Sequence, residues 1–203
     1  VVNIEGSSAS LTVNDGTIRS NAKSVDTTIG MVQIAKGCTL NLKGGELSSH
    51  YLPAIRNNGG GRVTMTGGSV MVGGSGAYAL DNYGTAVISG GTLTNLDVRT
   101  AVRAVADSSG AASTTTLSGS VICKGDIYVN GTNANKARLE ISSGTIDGSV
   151  NVKYEGHTLV NATQVFKIGL DQNSDTGFYT PFWQGDAKKI PQENGTYRYD
   201  ISN

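Results

Sequence analysis

The stretch VTMTGGSV, residues 63–70, decides the fold of this chain. Val63 and Met65 alternate with threonines, and this period of two is typical of a β-strand that buries one face. The glycine pair that follows allows a sharp turn with positive φ, and Val70 then supplies a new apolar position. The stretch therefore predicts two short strands that meet at a corner.

The same pattern recurs along most of the chain, with start-to-start spacings of 29, 23, 23, 29 and 24 residues. A segment of this length has too few apolar residues to build a core alone, so successive copies must stack on one another. The longer spacings predict bulging loops at residues 19–30 and 95–113, because insertions in a solenoid leave the stacked strands unchanged. The copies are Leu11, Val13, Asp15-Gly16, Ile18; Leu40, Leu42, Gly44-Gly45, Leu47; Val63, Met65, Gly67-Gly68, Val70; Ala86, Ile88, Gly90-Gly91, Leu93; Thr115, Leu117, Gly119-Ser120, Ile122; and Leu139, Ile141, Ser143-Gly144, Ile146.

A third apolar patch completes each period, and a polar or glycine-containing turn then closes the coil. Three strands per coil, each paired in parallel with its equivalent above and below, make a parallel β-helix. We therefore predict an all-β fold, a right-handed single-stranded parallel β-helix of about six to seven coils. The third patches are Val32 and Ile34, Ala54 and Ile55, Ala79 and Leu80, Ala104 and Val105, Ile127 and Val129, and Val150 and Val152.

Two other folds fit the sequence less well. An antiparallel sandwich would need longer alternating strands and hairpin turns, and a leucine-rich repeat would need its Leu and Asn frame with helix formers. Neither frame is present. The single helix-like segment, Leu96 to Asp107, we interpret mostly as a loop that leads into a strand.

The two ends of the chain differ from the repeats. The spacing of Val2 and Ile4 before Leu11 places the start partway round a coil, so we expect further repeats before Val1 in a longer parent protein. We assign residues 1–155 to the β-helix, and residues 156–203 to a C-terminal aromatic-rich cap or, alternatively, a small appended β module that binds carbohydrate. Eight of the twelve aromatic residues lie at this end: Tyr154, Phe166, Phe178, Tyr179, Phe182, Trp183, Tyr197 and Tyr199.

Composition narrows the possible partners. The 16 basic and 16 acidic residues cancel, so no long-range field attracts nucleic acid or anionic lipid. No apolar run approaches the roughly 18 residues of a membrane span, so membrane insertion is not expected. Charged residues make up only 16% of the chain, which instead holds 28 glycines, and this balance is typical of extracellular repeat proteins.

Cysteine and histidine residues predict neither a metal site nor a cofactor. Cys38 and Cys123 lie three repeats apart, beyond disulfide reach at about 4.8 Å per stacked strand. We therefore expect two separate buried thiols, with one disulfide as the alternative. His50 and His157 have no metal-ligating neighbours in the sequence and are interpreted as surface residues.

Two repeat segments point to a family. AIRNNG at 54–59 leads to VTMTGG at 63–68, and ALDNYG at 79–84 leads to ISGG at 88–91. These segments resemble the right-handed parallel β-helix repeats of large adhesin-like surface proteins, which are common in Gram-positive and gut bacteria. The resemblance implies a secreted or wall-attached protein with flanking domains, in which the β-helix is a stalk or a surface that faces glycans or the host.

The same fold class contains pectate lyases, polygalacturonases and phage tailspikes, so a polysaccharide lyase or glycosidase is the alternative function. The polygalacturonase-like adjacent Asp pair and Gly-His-Gly are absent, as is the pectate lyase-like Arg-x-Pro-x-x-Arg. An inverting glycosidase needs two carboxylates about 6.5–9.5 Å apart. Asp81 and Asp107 are the nearest pair by repeat position, and we interpret them as solvated turn acids. We predict no catalytic residue.

Glycan binding is the function for which the sequence offers candidate residues. Sugar sites usually contain an aromatic ring on which a pyranose stacks. Tyr51, Tyr78 and Tyr83 lie in turns of adjacent coils, and Tyr179 with Trp183 forms a second candidate set. A polar ladder on the outer side of the first strand is a further surface, interpreted as ordinary solvation: Thr12, Asn41, Lys43, Thr64, Thr66, Ser89, Thr116, Ser118, Glu140 and Ser142.

Overall fold

Every regular element in the described part of the chain is a β-strand, which confirms the all-β prediction. Among these residues there is also no helix of the length and apolar character needed to cross a membrane. The computed structural model describes residues 1–74, 77–97, 99–106, 112–131, 137–148 and 150, and beyond them the backbone alone of residues 151–153 and of the later strands.

The strands follow one another in triplets, and each member of a triplet joins a different sheet, named here sheet A, sheet B and sheet C. Neighbouring strands within each sheet are parallel as far as β20, so the chain forms a parallel β-helix of about six coils. Sheet A contains β1 (Val2–Ile4), β4 (Val32–Ile34), β7 (Ile55–Asn57), β10 (Leu80–Asn82), β13 (Thr100–Val105), β16 (Asp126–Asn130) and β19 (Val150–Lys153).

Sheets B and C carry the two strands of the repeat motif. Sheet B contains β2 (Ser10–Val13), β5 (Thr39–Leu42), β8 (Arg62–Met65), β11 (Thr85–Ile88), β14 (Ser113–Leu117), β17 (Ala137–Ile141) and β20 (Thr158–Thr163). Sheet C contains β3 (Thr17–Arg19), β6 (Glu46–Ser49), β9 (Ser69–Val72), β12 (Thr92–Asn95), β15 (Ile122–Lys124) and β18 (Thr145–Asp147).

Strand pairing changes after β20. The strand β22 pairs antiparallel with β19, and β24 pairs antiparallel with β20. The parallel ladder thus extends one strand beyond residue 155, while the division into a β-helix and a cap or module at 156–203 stays a prediction. These last strands are β21 (Gly169–Asn173), β22 (Phe178–Phe182), β23 (Ile190–Pro191) and β24 (Thr196–Asp200).

The core is a set of side-chain columns that run along the axis. In sheet B, Val63 aligns with Leu40 on one side and with Ala86 on the other, and all three are fully buried. Because equivalent residues of successive repeats meet at every level, the repeat read from the sequence is also the packing unit of the structure.

Glycines form the corner between sheets B and C because two constraints coincide there. Gly45, Gly68 and Gly91 have φ between 78° and 85°, a region that side-chain-bearing residues rarely adopt. A Cβ atom on Gly68 would also lie 2.9 Å from the carbonyl oxygens of Gly44 and Gly45 in the preceding coil. Stacked corners are therefore too close together for side chains.

The fifth repeat departs from the expected pattern. Ile122, predicted to be buried, is 37% exposed, whereas Cys123 is fully buried and aligns with Leu93. Its corner contains one more residue than the others, and Gly119, the first of the small pair, takes the positive φ. One inserted residue exchanges the inward and outward sets of a strand. The prediction for Ile122 was therefore wrong.

The first predicted loop and the buried thiols are confirmed, whereas the bounds of the second predicted loop were wrong. Residues 20–31 form a long connection between β3 and β4, close to the predicted loop at 19–30. The helix-like segment at 96–107 contains β13, whereas the predicted loop at 95–113 was too long because it includes this strand. Cys38 and Cys123 are buried free thiols.

The buried thiols lead to a labelling prediction. Burial is the main cause that raises the pKa of Cys123 to about 12, and alkylating reagents attack the thiolate rather than the thiol. We expect iodoacetamide at pH 8 to leave the native protein unlabelled and to add two groups in urea, as measured by intact mass. Labelling of the native protein would show that the cysteines are accessible.

A core substitution tests the stacked packing. Leu93 is fully buried in sheet C between Val70 and Cys123, so Leu93→Ala should leave a cavity and cost about 2–5 kcal/mol. Thr94→Ala, which changes the outward-facing neighbour on the same strand, should stay within about 0.5 kcal/mol. Urea unfolding measures both, and equal effects would contradict the arrangement.

Candidate functional site

The outer face of sheet A carries a cluster of charged and aromatic side chains. Strand pairing places Gln33, Arg56, Asp81, Arg103 and Tyr128 in one column, one residue per coil. Their neighbours in the strands point inward to the core. Rigid strands therefore fix the spacing of this column at about 4.8 Å per level.

Asp81 is the centre of this column. Its carboxylate accepts hydrogen bonds from Nε and Nη2 of Arg103, at 2.7 and 2.8 Å, and from Nη1 of Arg56 at 2.6 Å. The side chain is completely buried although it lies on the outer face. The interpretation of Asp81 as a solvated turn acid was therefore wrong, because the arginines of the two adjacent coils cover it. Asp107, its suggested partner, lies outside the described residues.

Burial and charge act in opposite directions on these groups. Burial raises the pKa of Asp81, while the hydrogen bond and charge of Arg103, and then those of Arg56, oppose that rise. Burial also lowers the pKa of Arg103, but the combined effects of Asp81, Tyr78 and Tyr83 outweigh it and leave this pKa above its ordinary value. Arg103 consequently remains a cation.

Two tyrosine rings enclose the arginines. The Cζ atom of Arg103 lies 4.4 Å from the centre of the Tyr78 ring, and that of Arg56 lies 4.6 Å from the centre of the Tyr83 ring. The hydroxyl of Tyr83 also accepts a hydrogen bond of 2.6 Å from Nη2 of Arg103. Guanidinium groups stacked on rings lose rotational freedom and gain cation–π attraction. We call Arg56, Tyr78, Asp81, Tyr83 and Arg103 the arginine–tyrosine cluster.

The predicted site residues separate into three groups. Tyr78 and Tyr83 do come together, as expected. Tyr51 instead packs edge-on against the exposed His50, with ring centres 4.2 Å apart. Only the backbone of Tyr179 is described, in β22, and Trp183 lies outside the described residues, so the second aromatic set stays a prediction.

Sequence reasoning missed the two arginines. Arg56 precedes Asp81 by 25 residues and Arg103 follows it by 22, close to the repeat period. Alignment of the repeats was therefore a sufficient signal for a column of opposite charges. The sequence did not predict that these charged side chains are buried, since charged residues on an outer face are ordinarily solvated.

The long connection at residues 20–31 is attached to the cluster. Nη1 of Arg56 donates a 2.6 Å hydrogen bond to the carbonyl oxygen of Thr27. The nearby Asp26 carboxylate accepts from the hydroxyl and backbone N–H of Thr28, at 2.6 and 2.8 Å, and these bonds lower the pKa of Asp26. Arg56 therefore joins the connection to sheet A.

Buried asparagines support the site from inside the coil. Nδ2 of Asn57 donates to Oδ1 of Asn82 at 2.7 Å, and Nδ2 of Asn82 donates to Oγ1 of Thr115 at 2.8 Å. Asn57 and Asn82 end the strands that carry Arg56 and Asp81. Oδ1 of Asn57 is buried and has no hydrogen-bond partner among the described residues. The hydrogen bonds that do form between coils favour one strand register, and they thereby support the outer column.

A concave region lies away from the cluster. It has a volume of about 160 Å³, and its lining includes Arg19, His50, Met71 and Leu96. It contains neither Tyr78 nor Tyr83. Across the described residues, no group of three or more His, Cys, Asp or Glu side chains could hold a metal ion.

Comparisons of the chain with protein-family models, curated proteins and solved structures find no match. The parallel β-helix is therefore established by strand pairing, and the candidate site by the geometry of its own side chains.

Removing the central carboxylate charge tests the cluster. Asp81→Asn leaves two largely buried guanidinium groups without a counter-ion, so we expect a loss of about 3–5 kcal/mol in the free energy of unfolding. Glu140→Gln makes the same chemical change in the exposed Arg138–Glu140 pair, and should cost less than about 1 kcal/mol. Urea unfolding compares them, and similar losses would refute a structural role for Asp81.

Proposed function

We propose that this chain is a non-catalytic, extracellular β-helix segment of a bacterial surface protein that binds glycans on the outer face of sheet A. The observation that carries this proposal is the meeting of Tyr78 and Tyr83 with two arginines on one rigid strand face.

The chemistry of the cluster suits a sugar ligand. Aromatic rings offer apolar area to the C–H face of a pyranose, and neighbouring polar groups orient its hydroxyls. Both tyrosines are partly exposed, while hydrogen bonds and stacking hold the cluster in place. A site fixed before binding loses little side-chain entropy when the ligand arrives.

The proposed cellular location is based on composition and on the resemblance of the repeats. A low fraction of charged residues, many glycines and the likeness to adhesin-like repeats support a secreted or wall-attached protein. In such a protein this segment is a stalk that presents a glycan- or host-facing surface, and flanking domains of a longer parent chain supply attachment.

The hydrogen bonding of the Asp81 carboxylate supports a binding role rather than catalysis at this cluster. A general base needs a carboxylate that can accept a proton from a nucleophile or substrate. Both oxygens of Asp81 accept hydrogen bonds from arginines. New reducing ends or unsaturated products from pectins, mucins or host glycans would instead support the alternative, a polysaccharide lyase or glycosidase.

A glycan array with tyrosine variants tests the proposal. We expect the protein to bind at least one glycan, and Tyr78→Ala and Tyr83→Ala each to weaken that binding about tenfold or more, because a stacked ring is lost. Tyr51→Ala is the matched control, since Tyr51 packs against His50 instead. Absence of binding across the array, or equal losses in all three variants, would reject the proposal.

A further inference from the structure

The arginines of the cluster keep hydrogen-bond donors for which the described residues offer no acceptor. In Arg103, Nε and Nη2 donate to Asp81 and Tyr83, whereas Nη1 has no hydrogen-bond acceptor among the described residues. In Arg56, Nη1 donates to Asp81 and Thr27, and within the same described part of the chain Nε and Nη2 have no acceptor. The side chains are 15% and 19% exposed for Arg56 and Arg103, so neither is sealed from solvent.

The cluster also carries an excess of positive charge. Two guanidinium groups share one carboxylate, which leaves one net positive charge. Among the described residues, Asp26 also interacts electrostatically with Arg56, but its carboxylate is hydrogen-bonded to Thr28 and partly exposed, so water screens its charge. Tyr78 and Tyr83 contribute neutral rings.

We infer that the glycan bound at this site carries an anionic substituent, a carboxylate or a sulfate, which the free edges of Arg56 and Arg103 recognise. This inference rests on the proposed function. A guanidinium group presents its N–H donors in a planar fork that matches the oxygens of such groups. Here Asp81 and the two rings hold both forks in place before a ligand binds.

Paired probes test the charge requirement without altering the protein. The first pair is polygalacturonate and its fully methyl-esterified form, and the second is dextran sulfate and dextran. We expect the charged member of at least one pair to bind about tenfold tighter than its neutral partner at physiological salt. The pair that shows this preference identifies the substituent as carboxylate or sulfate.

Arginine variants test the location of the site. Arg56→Lys and Arg103→Lys keep the positive charge opposite Asp81 but remove the free fork, so each should reduce the preference for the charged probe at least about threefold. Arg138→Lys makes the same change in an exposed arginine on sheet B, and should keep the preference. Thermal unfolding identifies any variant that fails to fold, and the paired probes then decide the inference on the native protein.

The outcomes separate this inference from the proposed function. Equal binding of charged and neutral probes, or binding only of neutral glycans on the array, overturns the anionic substituent and leaves glycan binding intact. No binding to any glycan rejects both. A preference that survives Arg56→Lys and Arg103→Lys unchanged overturns the assignment of the anion to this cluster.

Discussion

In-register parallel pairing is the constraint on which this molecule depends. Each residue of a strand meets its equivalent in the coils before and after it, as Leu40, Val63 and Ala86 do inside sheet B. This arrangement stabilises apolar columns because neighbouring side chains bury one another. It stabilises a polar column only if the side chains at successive levels are complementary in charge or in hydrogen bonding. Pairing in register therefore restricts which polar residues can occupy each buried position.

Asn82 and Asp81 show how this complementarity is reached, whereas Oδ1 of Asn57 has no hydrogen-bond partner among the described residues. The amides of Asn57 and Asn82 alternate donor and acceptor from one coil to the next and end on Thr115. On the opposite face of the same strands, the charges alternate in sign from Arg56 through Asp81 to Arg103. Both solutions use one residue per level, so inner and outer columns reinforce the same register.

The fold could be predicted almost completely from the sequence, because the same pattern of apolar and small residues recurs in every repeat. The prediction failed at Ile122, where one extra residue in the corner moved Cys123 into the core; spacing between small residues does not reveal which of them takes the positive φ. The candidate site was predictable only in part. Tyr78 and Tyr83 lie on either side of one short strand, β10, so the sequence already places them near each other. The edge-on contact of Tyr51 with His50 and the burial of Asp81 by arginines of two other coils depend on side-chain positions that the repeat pattern does not specify.

The sharing of Asp81 by two arginines limits how this solenoid can change its length. A coil with only apolar inward columns can be duplicated or deleted with little effect on its neighbours, since the new interface resembles the old one. The coil that carries Asp81 differs, because its loss would place Arg56 directly against Arg103, and a second copy would place two carboxylates at adjacent levels. Recombination between repeats should therefore avoid this part of the chain and leave the central coils in fixed order.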